Sequence, residues 1–276
     1  VISLDTSWPG ITLDSRIAGG SRTEAWTGFY VGSRVVVRKS TRSPESRLWE
    51  WTLLNHLVQH GIGVPHLLRT ADGRLDHDGW HVYPFVTGEH PDEDDPRQAA
   101  ALAAVHAVTT SWPQRPGSAS SVDLHLDDRG GDIDFGSMPT ELVATIREAW
   151  SQAGCGVTSV VHGDAGPSNA IIDARGRCVL INWDEARVDH TFFDLPSGSF
   201  EKRAALAWEV ATCWGTEPDH SNSGSSAFVR CTGTVPANRT PSPRNVDGIR
   251  RRLGTVTGRG GPRHRLHSLS SALLCV

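Results

Sequence analysis

The run Val160-Val161-His162-Gly163-Asp164 continues through Ala-Gly-Pro-Ser to Asn169. A phosphoryl-transfer site needs an Asp and an Asn close together: the carboxylate orients an attacking hydroxyl and takes its proton, and the amide oxygen holds Mg2+ on the nucleotide phosphates. The D-x-x-x-x-N spacing, directly after a β-branched apolar run, lets one loop present both groups to one pocket. Asp, Pro, Ser and Asn also favour capping turns, so the spacing alone would suit an ordinary turn. His-Gly before Asp164 and a strand-turn-strand pattern after Asn169 favour the catalytic reading.

A second carboxylate-bearing segment is Val179-Leu-Ile-Asn182-Trp-Asp184-Glu185-Ala186, at the far end of that strand-turn-strand unit. A hairpin returns the chain toward Asn169, so a second metal ligand is expected here, with Asp184 and Glu185 as the available acids. A solvated acidic turn is the competing reading. A third signal pairs Lys39, at the end of a strand, with Glu50, on the next helix. In a kinase arrangement the strand cation contacts the nucleotide phosphates and the helix Glu fixes it. The strand ends Arg38-Lys39, so either cation can face the cleft, and a surface salt bridge competes. Gly19-Gly20-Ser21 can bring backbone N–H groups to phosphates, although it fits neither common phosphate-loop pattern. His81 and His106 stand beside apolar residues and read as hydrogen-bonded core groups. No H-E-x-x-H or G-x-S-x-G occurs, which argues against zinc proteases and α/β-hydrolases.

These residues need a scaffold, and the hydrophobic periods supply one. Arg34 to Lys39 alternates as a strand, with Val35, Val37 and Lys39 on one face and Val36 and Arg38 on the other. Ser43-Pro44 starts a helix that runs through Glu50 to Val58 and ends at Gly61 and Gly63. A turn at Ala71–Arg74 precedes a strand through Trp80 to Phe85 that stops near Gly88. Helices are predicted at 98–108, 141–152 and 199–214, and 112–140 reads as one long irregular connection. A strand at 157–161 precedes the catalytic loop, and 170–172 with 178–181 forms a hairpin about the turn 173–176. The order is a mostly β lobe, a hinge near 84–90 and a mostly α lobe. After about Glu217 neither period persists, and the sequence turns to Ser, Gly, Arg, Thr and Pro.

The chain has 276 residues, 38% hydrophobic and 21% charged, enough to bury a core without staples. No apolar run approaches the roughly 20 residues of a membrane helix, and the first residues lack the basic start of a signal peptide. Five scattered cysteines predict neither a disulfide framework nor a zinc site, so the expected setting is cytoplasmic. The net charge of -4 divides into +7 from Pro218 onward, with nine Arg and two acids, and -11 before it. A nucleic-acid partner led by that basic stretch ranks last, because it lacks interleaved aromatics and any known motif.

In order along the chain, these segments resemble the aminoglycoside phosphotransferase / choline kinase-like family over roughly residues 10–215. The resemblance rests on Val36-Val-Arg-Lys39, Glu50 to Leu57, Tyr83-Pro84-Phe85, Leu102-Ala-Ala-Val-His106, His162-Gly-Asp164 with Asn169, Ile181-Asn-Trp-Asp-Glu-Ala186 and Phe193-Asp194-Leu195, with Gly19-Gly20-Ser21 as the glycine turn. It implies an α+β, two-lobed protein-kinase-like fold. Residues 1–88 would be a nucleotide-binding N-lobe, 89–217 a C-lobe with catalytic loop, metal site and acceptor site, and 218–276 a disordered or aberrant tail. It further implies that Asp164 is the catalytic base and that Asn169 binds Mg2+. Lys39 or Arg38, paired with Glu50, would bind the phosphates, and backbone at Pro84, Phe85 and Val86 would meet the purine of ATP or GTP. The acceptor would be a small-molecule alcohol. The family usually has Asp where this chain has Asn182, with Asp184 two residues on as a substitute ligand. An amide supplies no negative charge to a metal, so a nucleotide-binding pseudokinase of weak or no activity is the alternative.

Overall fold

The alternation of Ser33–Lys39 is realised in a computed structural model that describes residues 4–17 and 24–215. Gly19, Gly20, Ser21 and the segment 218–276 lie outside the described residues, which all belong to one compact unit. Strands β1 (Thr12–Arg16), β2 (Glu24–Tyr30) and β3 (Ser33–Lys39) precede helix α1 (Pro44–Gln59), and β4 (Trp80–Pro84) returns to the sheet. All three pairings in the order β1-β2-β3-β4 are antiparallel. Val35 and Val37 turn to one face, buried with Leu4, Trp8, Trp80 and Val82. Arg38 lies on the opposite face and pairs in register with His81 of β4.

Helix α1 begins as its sequence predicts. Ser43 Oγ accepts from Ser46 N at 3.2 Å, and Pro44 takes the first helical position. Its buried residues Trp49, Leu53, Leu54 and Leu57 pack with Leu102, Val105, Val160 and Leu180 from later in the chain. The helix therefore shares its core with the C-terminal region, and the sheet has a separate core on its other face.

Past the hinge come β5 (Gly88–Glu89) and α2 (Pro96–Val108), whose cap Asp95 accepts from Arg97 N. The segment expected to be irregular contains the short pair β6 (Arg129–Gly130) and β7 (Ile133–Asp134). It also places Leu124, Ile133 and Phe135 in a core with α3 (Thr140–Ala153). Two-residue strands are too short to show a period, which explains why the pattern hid them. Strand β8 (Thr158–Val161) leads into the Asp164 loop, and β9 (Ala170–Asp173) and β10 (Cys178–Leu180) form the expected hairpin. Strand β9 also pairs with β5, so the hairpin is anchored to the hinge region. β11 (Arg187–His190) pairs with β8, and α4 (Ser199–Cys213) packs on α3 through Trp150, Ala204, Ala207 and Trp208. Cys178 and Cys213 are buried thiols. Among the described residues no helix is long and apolar enough to cross a membrane.

Candidate active site

Strand β8 ends in a core between α1 and α2, so the chain leaving it must turn sharply. Gly163 makes that turn at φ +84°, where a Cβ would meet Glu185 O at 2.5 Å. The loop is held from beneath by Asp194, whose carboxylate accepts from His162 N at 2.7 Å, Gly163 N at 2.9 Å and His106 Nε2 at 2.9 Å. Burial works against the charge of Asp194, but the hydrogen bond from His106 and its other partners outweigh it and hold the carboxyl below the usual range. From the side, Gln98 Nε2 of α2 donates to Ala165 O at 2.6 Å and Gly166 O at 3.2 Å. His162 Nε2 donates to Ile181 O at 2.9 Å, tying the loop to the end of β10. His106 and His81 are buried and hydrogen-bonded, as their apolar neighbours predict.

On this support Asp164 is exposed and Asn169 buried, and they meet: Asn169 Nδ2 donates to Asp164 Oδ2 at 2.7 Å and to Asp164 O at 2.9 Å. Asn182 follows β10 in the left-handed region at φ 66°, a conformation that Asn tolerates better than most residues. Its Nδ2 donates to Asn169 Oδ1 at 3.1 Å, and its Oδ1 accepts from Arg38 Nη2 at 2.9 Å. The same Nη2 donates to Asp184 Oδ2 at 2.5 Å. Asn169, Asn182 and Asp184 are thus brought together, with a cation already on two of them. Burial opposes the charge of Arg38, yet Asp184, Tyr83 and Glu50 together more than offset it, so the guanidinium pKa lies above its ordinary value.

The choice that the sequence leaves open between Arg38 and Lys39 is resolved by strand alternation. Arg38 faces the cluster, whereas Lys39 Nζ lies 5.5 Å from the Trp80 ring centroid on the opposite side of the sheet. Glu50 Oε2 accepts from Arg115 Nη2 at 2.5 Å, and Arg38 of the expected pair attracts it electrostatically. Burial pushes the Glu50 carboxyl up, and Arg115 offsets this only in part. Arg115 sits in the connection after α2, among Gln114 and Pro116, where no period or motif marks it. At the hinge, Pro84 has no N–H and the Phe85 N–H donates to Arg34 O at 3.0 Å. The Val86 N–H makes no hydrogen bond among the described residues, and of the three only it has a donor to offer a purine edge.

The donor set suits Mg2+. Two amide oxygens and one carboxylate are hard ligands, and a phosphate-bound Mg2+ takes few ligands from protein. Among the described residues no group of three His, Cys, Asp or Glu is placed to hold a metal ion.

Comparison with known proteins gives the family and the fold of this chain. The model of the phosphotransferase enzyme family (APH) matches residues 17–219. The fold is similar to that of a thermostable mutant of aminoglycoside phosphotransferase APH(4)-Ia in ternary complex with AMP-PNP and hygromycin B. That likeness has a TM-score of 0.59 at 14% identity, covering 84% of this chain and 98% of the other. Choline kinase LicA from Streptococcus pneumoniae is similar with a TM-score of 0.55 at 13% identity, covering 84% of this chain and 96% of that one. Amicoumacin kinase hAmiN, in complex with AMP-PNP, Ca2+ and Ami, gives a TM-score of 0.51 at 14% identity over 81% of this chain and 75% of that one. No curated protein sequence matches the chain. The fold is the two-lobed, protein-kinase-like α+β fold.

Proposed function

Because the chain belongs to the phosphotransferase enzyme family, we propose that it transfers the γ-phosphoryl group of ATP or GTP to a hydroxyl of a small molecule with Mg2+ as companion ion. The observation that carries this reading is the contact of Asn169 with the Asp164 carboxylate at 2.7 Å, on a loop fixed from three sides. Asp164 is exposed, so an acceptor hydroxyl can reach it and give up its proton as the phosphoryl group arrives. Asn169, Asn182 and Asp184 would hold Mg2+, which when bound neutralises charge on the phosphate oxygens. Arg38 would then exchange part of its contact with Asp184 for the phosphates, a short swing for a guanidinium already at the cluster. Val86 would offer its N–H to the purine, between Pro84 and Phe85.

The named neighbours support the acceptor class. One was crystallised with hygromycin B, and another is named a choline kinase, so an aminoglycoside-like or choline-like alcohol is the class proposed. The lobes proposed, 1–88 for nucleotide and 89–217 for acceptor and metal, meet across α1. A cytoplasmic setting, where nucleoside triphosphates are abundant, belongs to the same reading. One observation favours a second reading, nucleotide binding without turnover: the side chain beside Asn169 is the neutral Asn182. Incubation with γ-labelled ATP or GTP against aminoglycosides, choline and amino alcohols separates the two. Labelled product with one class supports the enzyme. Saturable nucleotide binding with no product from any acceptor supports the pseudokinase.

A further inference from the structure

We infer that Arg115 is a positioning residue of the phosphoryl-transfer site, holding the Asp184 turn against α1; the inference rests on the phosphotransferase reading above. Its guanidinium is 1% exposed and reaches two elements at once. Toward α1, Nε donates to Ser46 Oγ at 2.8 Å and Nη2 to Glu50 Oε2 at 2.5 Å. Toward the turn at Trp183–Glu185, Nη1 donates to Trp183 O at 2.9 Å, Asp184 O at 3.2 Å and Ala186 O at 3.3 Å.

Those carbonyls belong to the turn that begins at left-handed Asn182 and carries Asp184. Holding the backbone of Asp184 on the Arg115 side leaves its carboxylate directed to Arg38 and the ligand cluster. Glu50 therefore acts on the site through Arg115 and the metal-side turn, in addition to its electrostatic attraction for Arg38. Only a planar fork can serve both sides. Lysine carries three donors on a single nitrogen and cannot satisfy Glu50 and the carbonyls together.

The test titrates Mn2+ into the full chain at saturating AMP-PNP, following bound metal by electron paramagnetic resonance, and separately measures AMP-PNP affinity at saturating Mn2+. Arg115→Lys is expected to raise the half-saturating Mn2+ concentration roughly tenfold or more, as losses of groups that orient metal ligands do. AMP-PNP affinity at saturating metal should change less than about threefold, a split that general destabilisation would not produce. Asp184→Asn should raise the metal requirement as well, and the double variant should add little, because both changes act on one carboxylate. If Arg115→Lys does not fold by circular dichroism, Glu50→Gln removes the charge that orients Arg115 and should shift the Mn2+ requirement in the same direction. An unchanged Mn2+ requirement in the folded variant, or additive effects in the double variant, overturns the inference alone. No metal-dependent AMP-PNP binding by the parent overturns the phosphotransferase reading and this inference with it.

Discussion

Asn182 is the residue whose chemistry departs most from what the site requires. It brings an amide where a carboxylate would lend charge, and its Nδ2 donates to Asn169 Oδ1, an oxygen a metal would need. Asp184 is within one guanidinium of it, so the missing charge has a nearby source. Replacing Asn182 by Asp should therefore lower the Mg2+ requirement. It should also raise turnover by roughly ten- to a hundredfold, since about 1.4–2.8 kcal/mol of transition-state stabilisation returns. Turnover measured across a Mg2+ titration checks this. If neither quantity moves while Asp184→Asn abolishes both, Asp184 alone carries the role. At this scale the sequence was legible where chemistry is concentrated in one loop: Asp164 and Asn169 meet as their spacing predicts. It was ambiguous at Arg38-Lys39, because alternation puts adjacent cations on opposite faces without saying which face meets the site. It was silent at Arg115, because a buried long-range ion pair has no local pattern.

Helix α1 packs its buried face against residues from later in the chain, and its boundaries were readable because capping is local. Ser43 and Pro44 mark its start, and Gly61, at φ +74°, follows its end. Ser43→Ala removes the acceptor for Ser46 N and should cost about 1 kcal/mol of stability. For a chain of this size that lowers the melting temperature by roughly 2–4 °C. Ser46 also bonds Arg115, so the Mg2+ requirement should rise slightly in the same variant, by less than about twofold. A melt unchanged within error would contradict the cap. The β9–β10 hairpin was equally legible, since Asp173 accepts from Arg175 N at 2.9 Å and Arg177 N at 3.0 Å within its own turn. Strands β5, β6 and β7 were not, because two residues hold no period, and β5 pairs with the distant β9.

At the largest scale the β-then-α order is legible in the sequence, while the shared core of α1 with the C-terminal region emerges only in three dimensions. The buried face of the sheet toward the site also sets a pH dependence. Burial, reinforced by the charge of Arg38, pushes the His81 pKa down from 6.5 to about 4. The folded protein thus resists a proton that the unfolded chain accepts near pH 6.5. Stability from this group is full above that pH and is lost as pH falls toward about 4, by about 3 kcal/mol in total. Chemical denaturation at pH 7 and pH 5 should show the loss. His81→Gln, which keeps a donor for Gly79 O but does not titrate, should flatten it, and an equally steep decline in that variant would contradict the assignment. Phosphoryl transfer needs both lobes at once, so the most direct test of the central claim compares the parent with Asp164→Asn. That change keeps an acceptor for Asn169 Nδ2 but removes the base. With ATP, Mg2+ and the acceptor found in the panel, the variant should bind nucleotide as the parent does. It should lose transfer by at least about a hundredfold, the contribution of a positioned general base. A variant rate within about tenfold of the parent, a difference of only ~1.4 kcal/mol, would contradict the role of Asp164 and with it the account of this site.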